Sequence, residues 1–269
     1  MGVAFGQAAQ PEVTAQEIEA KLRAAPFLML RGMWDGEQLG FDAQGNIIGS
    51  PRTRLFSLSA IVVTGVELSD SSLEIDGERA GLAIEAAQSL KKAVRAVALG
   101  KHATETVRLT IARDAEHPDS LPAAVQRVVS VGIDDGWLTT APSYWQVWLR
   151  RELHPELPPL ELPAGVYGGP GQPFGEGKLA GAHAPVLIFS PDPKFTGKAQ
   201  QQGYQGVTLI GLIVDAQGRP MSEWIEQPTG MGLDEAAIAS VMQYRFKPAT
   251  LHGEPISVRV NIEVNHRNY

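Results

Sequence analysis

The 269-residue sequence predicts an α+β protein in which two antiparallel sheets carry flanking helices. Two observations predict this class: short runs alternate between apolar and polar residues, and helical spacing recurs between those runs. The clearest alternation begins at Ile256 and ends at Val264. Its apolar members are expected to face a core while Ser257, Arg259 and Asn261 face water, because side chains alternate across a strand.

The composition is that of an ordinary globular protein, with 43% hydrophobic and 20% charged residues. A net charge of −7 and the lack of any long basic run argue against nucleic acid as a partner. The lack of cysteine excludes disulfides and thiol catalysis. Residues 1–10, MGVAFGQAAQ, are predicted to be the remnant of a secretory signal peptide or a disordered terminus.

Residues 11–154 are predicted to form an α+β domain of unknown role. Thr14 and Glu17 have capping-box spacing, which predicts a helix over residues 14–25. Two further helices are predicted over residues 122–131 and 144–153. The run SLKKAVRAVALG fits a helix and a strand equally well. The predicted strands of the antiparallel sheet lie in FLMLRG, EQLGFD, RLFSLSAIVVTGVEL, SLEIDGERAGLAIE and residues 105–113.

Residues 155–185 are rich in Pro and Gly and have no periodicity, so they are predicted to be a linker. The linker separates residues 11–154 from a C-terminal domain over residues 186–269. That domain opens with two predicted strands joined by a turn, Asp-Ala-Gln-Gly, which begins at Asp215 and also occurs at Asp42. Because Asp and Gly tolerate the dihedral angles of tight turns, both copies predict hairpins.

The C-terminal domain is predicted to be a β-β-α-β module with a three-stranded antiparallel sheet. One apolar helical face is formed by residues at helical spacing, namely Leu233, Ala237, Val241 and Tyr244. Arg245 and Lys247 are expected at the C-terminal end of this helix, and Pro248 stops it. A right-handed crossover then places the last strand beside the first. The last strand is therefore predicted to be an edge of the sheet.

No catalytic, cofactor or metal site is predicted from the sequence. The six histidines lack the spacing that places two of them on one helix face for a metal ion. Ser89 and Lys92 fit an S-x-x-K pattern, but its companion motifs are missing. An enzyme in the N-terminal domain stays an alternative, since a spatial pair of carboxylates leaves no local pattern.

The run from Pro185 to Asn265 resembles the C-terminal domain of the TonB family of periplasmic energy transducers. The resemblance rests on the segments GV at 206–207, VDAQG at 214–218, GLDEAA at 232–237, YRFKPA at 244–249 and VRV at 258–260. That family usually has Trp at the position of Tyr244, and Tyr-Pro at the positions of Phe195 and Thr196. Thr196 is instead expected to cap a short helix that runs through Gln202.

The resemblance implies a periplasmic protein that captures an extended segment of an outer-membrane receptor by strand addition, in transport or energy transduction across the outer membrane. Inner-membrane motor proteins are a further implied partner. A soluble adaptor, a homodimer that pairs the same edges, and an enzyme targeted by the module are alternatives. The implied partner-binding residues are Ser257, Val258, Arg259, Val260, Asn261, Ile262 and Glu263.

Overall fold

The computed structural model describes residues 14–85, 90–99, 104–159, 161–168 and 180–267. The predicted signal segment at residues 1–10 and the residue Ser89 lie outside these ranges. The helices are α1 (Ala15–Arg23), α2 (Leu90–Ala93), α3 (Leu121–Val128), α4 (Trp137–Thr140), α5 (Ser143–Leu153), α6 (Gly197–Gln202) and α7 (Leu233–Val241). Single turns of 3-10 helix lie at Phe56–Leu58 and Pro118–Ser120.

The strands fall into an N-terminal group, a short central group and a C-terminal group. The first group is β1 (Leu28–Leu30), β2 (Gln38–Phe41), β3 (Ala60–Leu68), β4 (Ser72–Ile84), β5 (Val94–Ala98), β6 (Thr106–Ala112) and β7 (Val129–Val131). The central group is β8 (Val166–Tyr167), β9 (Ala182–His183) and β10 (Val186–Phe189). The last group is β11 (Gly206–Val214), β12 (Pro220–Gln227), β13 (Arg245–Lys247), β14 (Ala249–Leu251) and β15 (Glu254–His266).

The N-terminal sheet has the strand order β2-β6-β4-β3-β1-β7, and β5 also pairs with β4. Most neighbouring strands are antiparallel, as the sequence predicts. The exception is β2, which runs parallel to β6 from Gln38↔Arg108 to Phe41↔Ile111. Among the described strands, the N-terminal sheet therefore departs from antiparallel pairing at β2 and β6. Parallel neighbours need a long crossover, and the chain through β3, β4 and β5 supplies it.

Local sequence signals account for several helix ends. Helix α1 begins at a capping box, in which the Thr14 side chain accepts from Glu17 N and the Glu17 carboxylate accepts from Thr14 N at 2.7 Å. The ambiguous run after residue 89 contains both elements, the single helical turn α2 and then β5. Helix α3 ends three residues before its predicted end, because β-branched Val129 and Val131 pair with β1 as strand β7.

The C-terminal sheet contains the predicted β-β-α-β core in the order β12-β11-β15, with β11 in the centre. It is larger than the three strands predicted, because β14 and β8 both pair with β15 and β9 pairs with β14. Strands β8 and β9 lie within the predicted linker. Helix α7 covers the apolar face that carries Ile210, Leu212 and Val258, all of which are buried.

Helix α7 is shorter than the sequence predicts. It ends at Val241, and Arg245 and Lys247 lie on strand β13 instead of at the end of the helix. Strand β13 pairs antiparallel with β10, from Val186↔Lys247 to Phe189↔Arg245. This partner is about 60 residues earlier in the chain, so the helical spacing of Tyr244 could not reveal it.

The two Asp-Ala-Gln-Gly turns have the same hydrogen bonds, as shared turn chemistry predicts. The Oδ1 atom of Asp42 accepts from the backbone N–H groups of residues 44 and 46, and Oδ1 of Asp215 accepts from those of residues 217 and 219. Gly218 is also required for close packing. Its φ is 76°, and a Cβ there would lie 1.8 Å from the carbonyl oxygen of Phe246.

Backbone hydrogen bonds join the end of β4 to the C-terminal module. Ile84 N donates to the Thr229 carbonyl at 3.0 Å, and Met231 N donates to the Leu82 carbonyl at 2.8 Å. Gly230, with φ 95°, lies between them, and a Cβ at this position would lie 1.9 Å from the Leu82 oxygen. The join between the two parts of the chain therefore depends on a glycine.

The N-terminal residues and the C-terminal module also share one apolar core. Phe56, Leu82 and Trp145 belong to the same buried cluster as Ile210 and Ile225. The division into 11–154 and 186–269 stays a prediction. Within the described ranges, no helix is both long enough and apolar enough to span a lipid bilayer.

We expect Phe246→Ala to lower the free energy of unfolding by about 3 to 5 kcal/mol, because it removes a buried ring and leaves a cavity. Phe246 is 6% exposed and pairs with Leu187. Chemical denaturation would measure the loss. Met221→Ala is the control, since Met221 is 44% exposed and its truncation should change little. A loss below roughly 1 kcal/mol at Phe246 would contradict the packing described here.

Candidate functional site

The long strand β15 has one edge that is partly open. Along its first edge it pairs with β11 in continuous register, from Val214↔Val258 to Gly206↔His266. Val258 also pairs with Tyr167 of β8, so β8 must lie on the opposite edge. Beyond that contact, no strand in the described ranges pairs with this second edge between Arg259 and His266.

The predicted partner-binding residues fall into two groups along this edge. Ser257 and Val258 are already paired with β8, and Val258 is fully buried. The sequence prediction that the edge is open at these two positions is therefore wrong, because a two-residue strand from a Pro/Gly-rich segment gives no periodic signal. The members that lie beyond β8 are Arg259, Val260, Asn261, Ile262 and Glu263.

The two faces of β15 follow the predicted alternation. Val260 and Ile262 are half-buried and pack against the apolar core on one face. Asn261 and Glu263 are exposed on the other. The strand is therefore held to the core by one set of side chains, while Asn261 and Glu263 face solvent.

Arg259 is not free on the outward face, contrary to what alternation alone suggests. Its guanidinium lies 5.3 Å from the ring centroid of Trp224 and pairs with the Glu226 carboxylate at 2.5 Å. Trp224 Nε1 donates to the same carboxylate at 2.7 Å. Arg151 of α5 pairs with it from the other side at 3.2 Å. These contacts fix the outward face of β15 to β12 and to the N-terminal region.

Gly211 on β11 makes the Trp224 position feasible. A Cβ at Gly211 would lie 2.4 Å from the indole ring, so any side chain would displace the tryptophan. A glycine inside a strongly apolar strand often marks such a close approach. This glycine was the one sequence signal that could have indicated an aromatic residue lying across the outer face.

An open cleft of about 520 Å³ lies beside this cluster. One wall is α5, with Val147 and Arg150, and the opposite wall is formed by Trp224 and Arg259. His154 lines it too, and its ring nitrogens contact Asp135 at 3.0 Å and Glu156 at 3.2 Å. Arg151, Arg259 and His154 of this cleft each contact a carboxylate.

A buried polar network lies behind the sheet, at the start of α7. Asp234 accepts from the backbone N–H groups of Thr229 and Gly230 at 2.8 and 2.7 Å and from the Thr208 hydroxyl at 2.8 Å. The Thr208 oxygen also lies 3.3 Å from His266 Nε2 at the end of β15. Asp234 therefore holds the loop that pairs with β4. Through Thr208 it is also linked to β11 and to His266 of β15.

Burial shifts the pKa values of this network in opposite directions. It raises the pKa of Asp234 to about 7, with a contribution from the neighbouring Glu235 carboxylate, although three donors favour the charged form. Burial also raises the pKa of Glu235, against hydrogen bonds from Ser57 and Trp145. The same cause lowers the pKa of the His266 imidazole to about 4.

No group of three or more His, Asp or Glu side chains suited to a metal ion occurs in the part of the chain that the structure describes.

Together these elements define a β-β-α-β module whose last strand has a partly open edge. Residues 191–267 match the model of the Gram-negative bacterial TonB protein C-terminal family. Protein TonB of Vibrio cholerae serotype O1 (strain ATCC 39315 / El Tor Inaba N16961) is 26% identical over 91 residues, which are 31% of this chain. The chain is thus TonB-like in its C-terminal module and carries a separate N-terminal region.

The matched part is limited in both proteins. The alignment spans 37% of the Vibrio cholerae protein, so well under half of that relative is represented. The family match contains β11, β12, α7 and all of β15, but β8 lies before its first residue. The N-terminal sheet also lies outside it.

We expect Asp234→Asn to change the pH dependence of stability. The folded-state pKa lies above the ordinary value of 3.8, so the contribution of Asp234 is fully present below about pH 4 and is lost as pH rises through about 7. The free energy of unfolding of the wild type, minus that of Asp234→Asn, should fall by roughly 2 to 4 kcal/mol across this window. Denaturant titrations at several pH values would measure it.

His266→Gln is the matched control, because the contribution of His266 to stability should change with pH in the opposite direction. Its folded-state pKa is lowered from 6.5, so its contribution is present above that value and is lost as pH falls toward 4. The wild-type minus His266→Gln difference should therefore rise with pH. Two flat differences would mean that neither group is shifted in the folded protein.

Proposed function

We propose that this chain is a periplasmic, non-enzymatic TonB-like protein that captures an extended segment of an outer-membrane receptor. The segment would add as a strand to the second edge of β15, beyond β8, in transport or energy transduction across the outer membrane. The observation that carries the proposal is this edge, which no strand of the described residues pairs with from Arg259 to His266, in a module that matches the TonB C-terminal family.

Backbone groups supply the affinity in such a complex. Alternate residues of a strand direct both N–H and C=O toward the same edge, and each new hydrogen bond contributes about 1 kcal/mol net. The exposed side chains Asn261 and Glu263 lie where selectivity for the added segment would arise. Glu226 and Trp224 restrain the side chain of Arg259, and this restraint orders the start of the edge. These contacts do not use the backbone N–H and C=O groups of Arg259.

A homodimer through the same edge is the second candidate, favoured by the same unpaired backbone groups. The two candidates differ in what covers β15 when no receptor segment is present. Sedimentation velocity on the chain alone separates them, since a homodimer has twice the mass of the unliganded monomer.

Asn261→Pro and Ile262→Pro form a paired test of the edge. Adjacent residues direct their N–H groups to opposite edges, so one substitution removes a β11 hydrogen bond and the other removes a donor on the open edge. The variant that alters the open edge should stay folded and lose at least tenfold in affinity for extended receptor peptides. Calorimetric titration would measure binding, and circular dichroism would confirm the fold.

Asn261→Ala is the control, because it removes the same side chain and keeps the backbone donor. We expect it to bind within about threefold of the wild type, since the backbone carries most of the affinity. If both proline variants fold and bind as tightly as the wild type, strand addition at this edge is refuted.

Weakening β8 should strengthen capture, because β8 occupies the edge at Ser257 and Val258. In the double variant Val166→Gly and Tyr167→Gly, the loss of strand propensity releases these positions and lengthens the available edge. We expect peptide affinity to rise severalfold. The matched control changes Ala182 and His183 of β9 to Gly, since β9 pairs with β14 and not with β15. Equal affinities in all three proteins would mean that β8 does not compete.

A further inference from the structure

A second cleft, of about 550 Å³, lies at the junction of the N-terminal sheet and the C-terminal module. Four cationic side chains line it, with Arg52, Arg54 and Arg79 from the N-terminal region and Lys198 from α6. The acidic residues that line it are Asp35, Glu37 and Glu105. Among the described residues, the lining therefore has one more cation than carboxylates.

Arg79 is the cation without a full set of partners. It is 1% exposed on the central strand β4, at an inward position of the alternation. Its Nη2 atom donates to the Gly36 carbonyl at 2.7 Å. Its Nε and Nη1 atoms are buried and have no hydrogen-bond partner among the residues that the structure describes. A buried guanidinium in this state is costly, which makes a missing anionic partner the physical expectation.

Two of the other cations of the cleft, Arg54 and Lys198, are already paired with carboxylates. Arg54 pairs with Asp35 at 2.6 Å and with Glu105 at 2.8 Å, and Lys198 also contacts Glu105. Burial, together with the nearby Arg54 charge, lowers the pKa of Arg79 to about 10. Burial and Arg54 also lower the pKa of Lys198. Burial and the nearby Arg54 charge therefore both disfavour the charged forms of Arg79 and Lys198.

We propose that this cleft binds a small oxyanion, a carboxylate or a phosphate, through the unpartnered N–H groups of Arg79. A planar guanidinium suits both anions, because its parallel N–H groups match two oxygens at once. Thr104 and Thr106 line the same cleft and offer further polar groups. This proposal is independent of strand addition at β15 and gives the N-terminal region a ligand-binding role.

Because residues of both the N-terminal region and the C-terminal module line the cleft, ligand binding should stabilise the packing of these two parts against each other. Arg54 and Arg79 precede the module, whereas Lys198 belongs to α6, within the family match. An anion that contacts Arg79 and Lys198 at once can bind only when the N-terminal region and the module are packed together. Occupancy therefore raises the thermal unfolding midpoint of the whole chain in proportion to the logarithm of ligand concentration.

The test titrates the full chain with inorganic phosphate and, separately, with succinate, at a constant ionic strength set with sodium chloride. Calorimetry measures affinity, and thermal unfolding measures stabilisation. We expect one of the two probes to bind with a millimolar or lower dissociation constant. The phosphate and succinate arms identify which oxyanion class the cleft prefers.

Arg79→Gln should weaken binding of the preferred probe at least tenfold. Arg108→Gln is the matched control, because it removes the same charge from the neighbouring strand β6 at a residue that pairs with Asp76 outside the cleft. Lys198→Gln is a second variant that leaves β4 intact and should weaken binding severalfold. The proposal is overturned if neither probe binds the folded wild type at tens of millimolar, or if Lys198→Gln and Arg108→Gln bind alike. In that case Arg79 serves only to hold the Gly36 carbonyl.

Discussion

The buried Glu235 carboxylate at the start of α7 is the contact on which the arrangement of the molecule depends. It accepts from Ser57 N at 3.1 Å, from the Ser57 hydroxyl at 2.9 Å and from Trp145 Nε1 at 3.3 Å, all in the N-terminal region. Ser57 Oγ in turn accepts from Gly232 N at 2.9 Å. A buried carboxylate without hydrogen-bond donors is costly. Separating the two parts of the chain would remove the Ser57 and Trp145 donors from Glu235 and would leave those donors without their acceptor. The module's helix, and through it the sheet, is therefore positioned by residues outside the family match.

Sequence patterns predicted what local chemistry controls. The Thr14 capping box, the two Asp turns, the strands β11 and β12 and the alternation of β15 all follow from residues within a few positions of one another. Pairings between distant segments could not be predicted in this way. Strand β13 needs β10, and the parallel β2–β6 pair needs three intervening strands. The extra strands of the C-terminal sheet come from a segment in which Pro and Gly hide any periodicity.

The same contrast between local patterns and distant contacts applies to the candidate sites. Alternation predicted which side chains of β15 face the core, but the partners of Arg259, Trp224 and Glu226, come from β12, so its restraint was invisible in the sequence. Arg79 did leave a signal, since it stands at an inward position of β4, on the face that also carries Leu73 and Ile75. An arginine at such a position indicates a buried charge, but not the residues or ligand that would meet it. The resemblance of residues 191–267 to a known family located the C-terminal module, but it did not predict the contacts that the module makes with the N-terminal region.

The long register between β11 and β15 has a mechanical consequence. Ladder hydrogen bonds lie perpendicular to the strands, so tension applied along β15 loads all the bonds from Gly206↔His266 to Val214↔Val258 in shear, and they share the force. Tension applied across the sheet would instead load them one after another. Under the proposed strand addition, a segment lying along β15 would load this pairing in the direction in which it resists best.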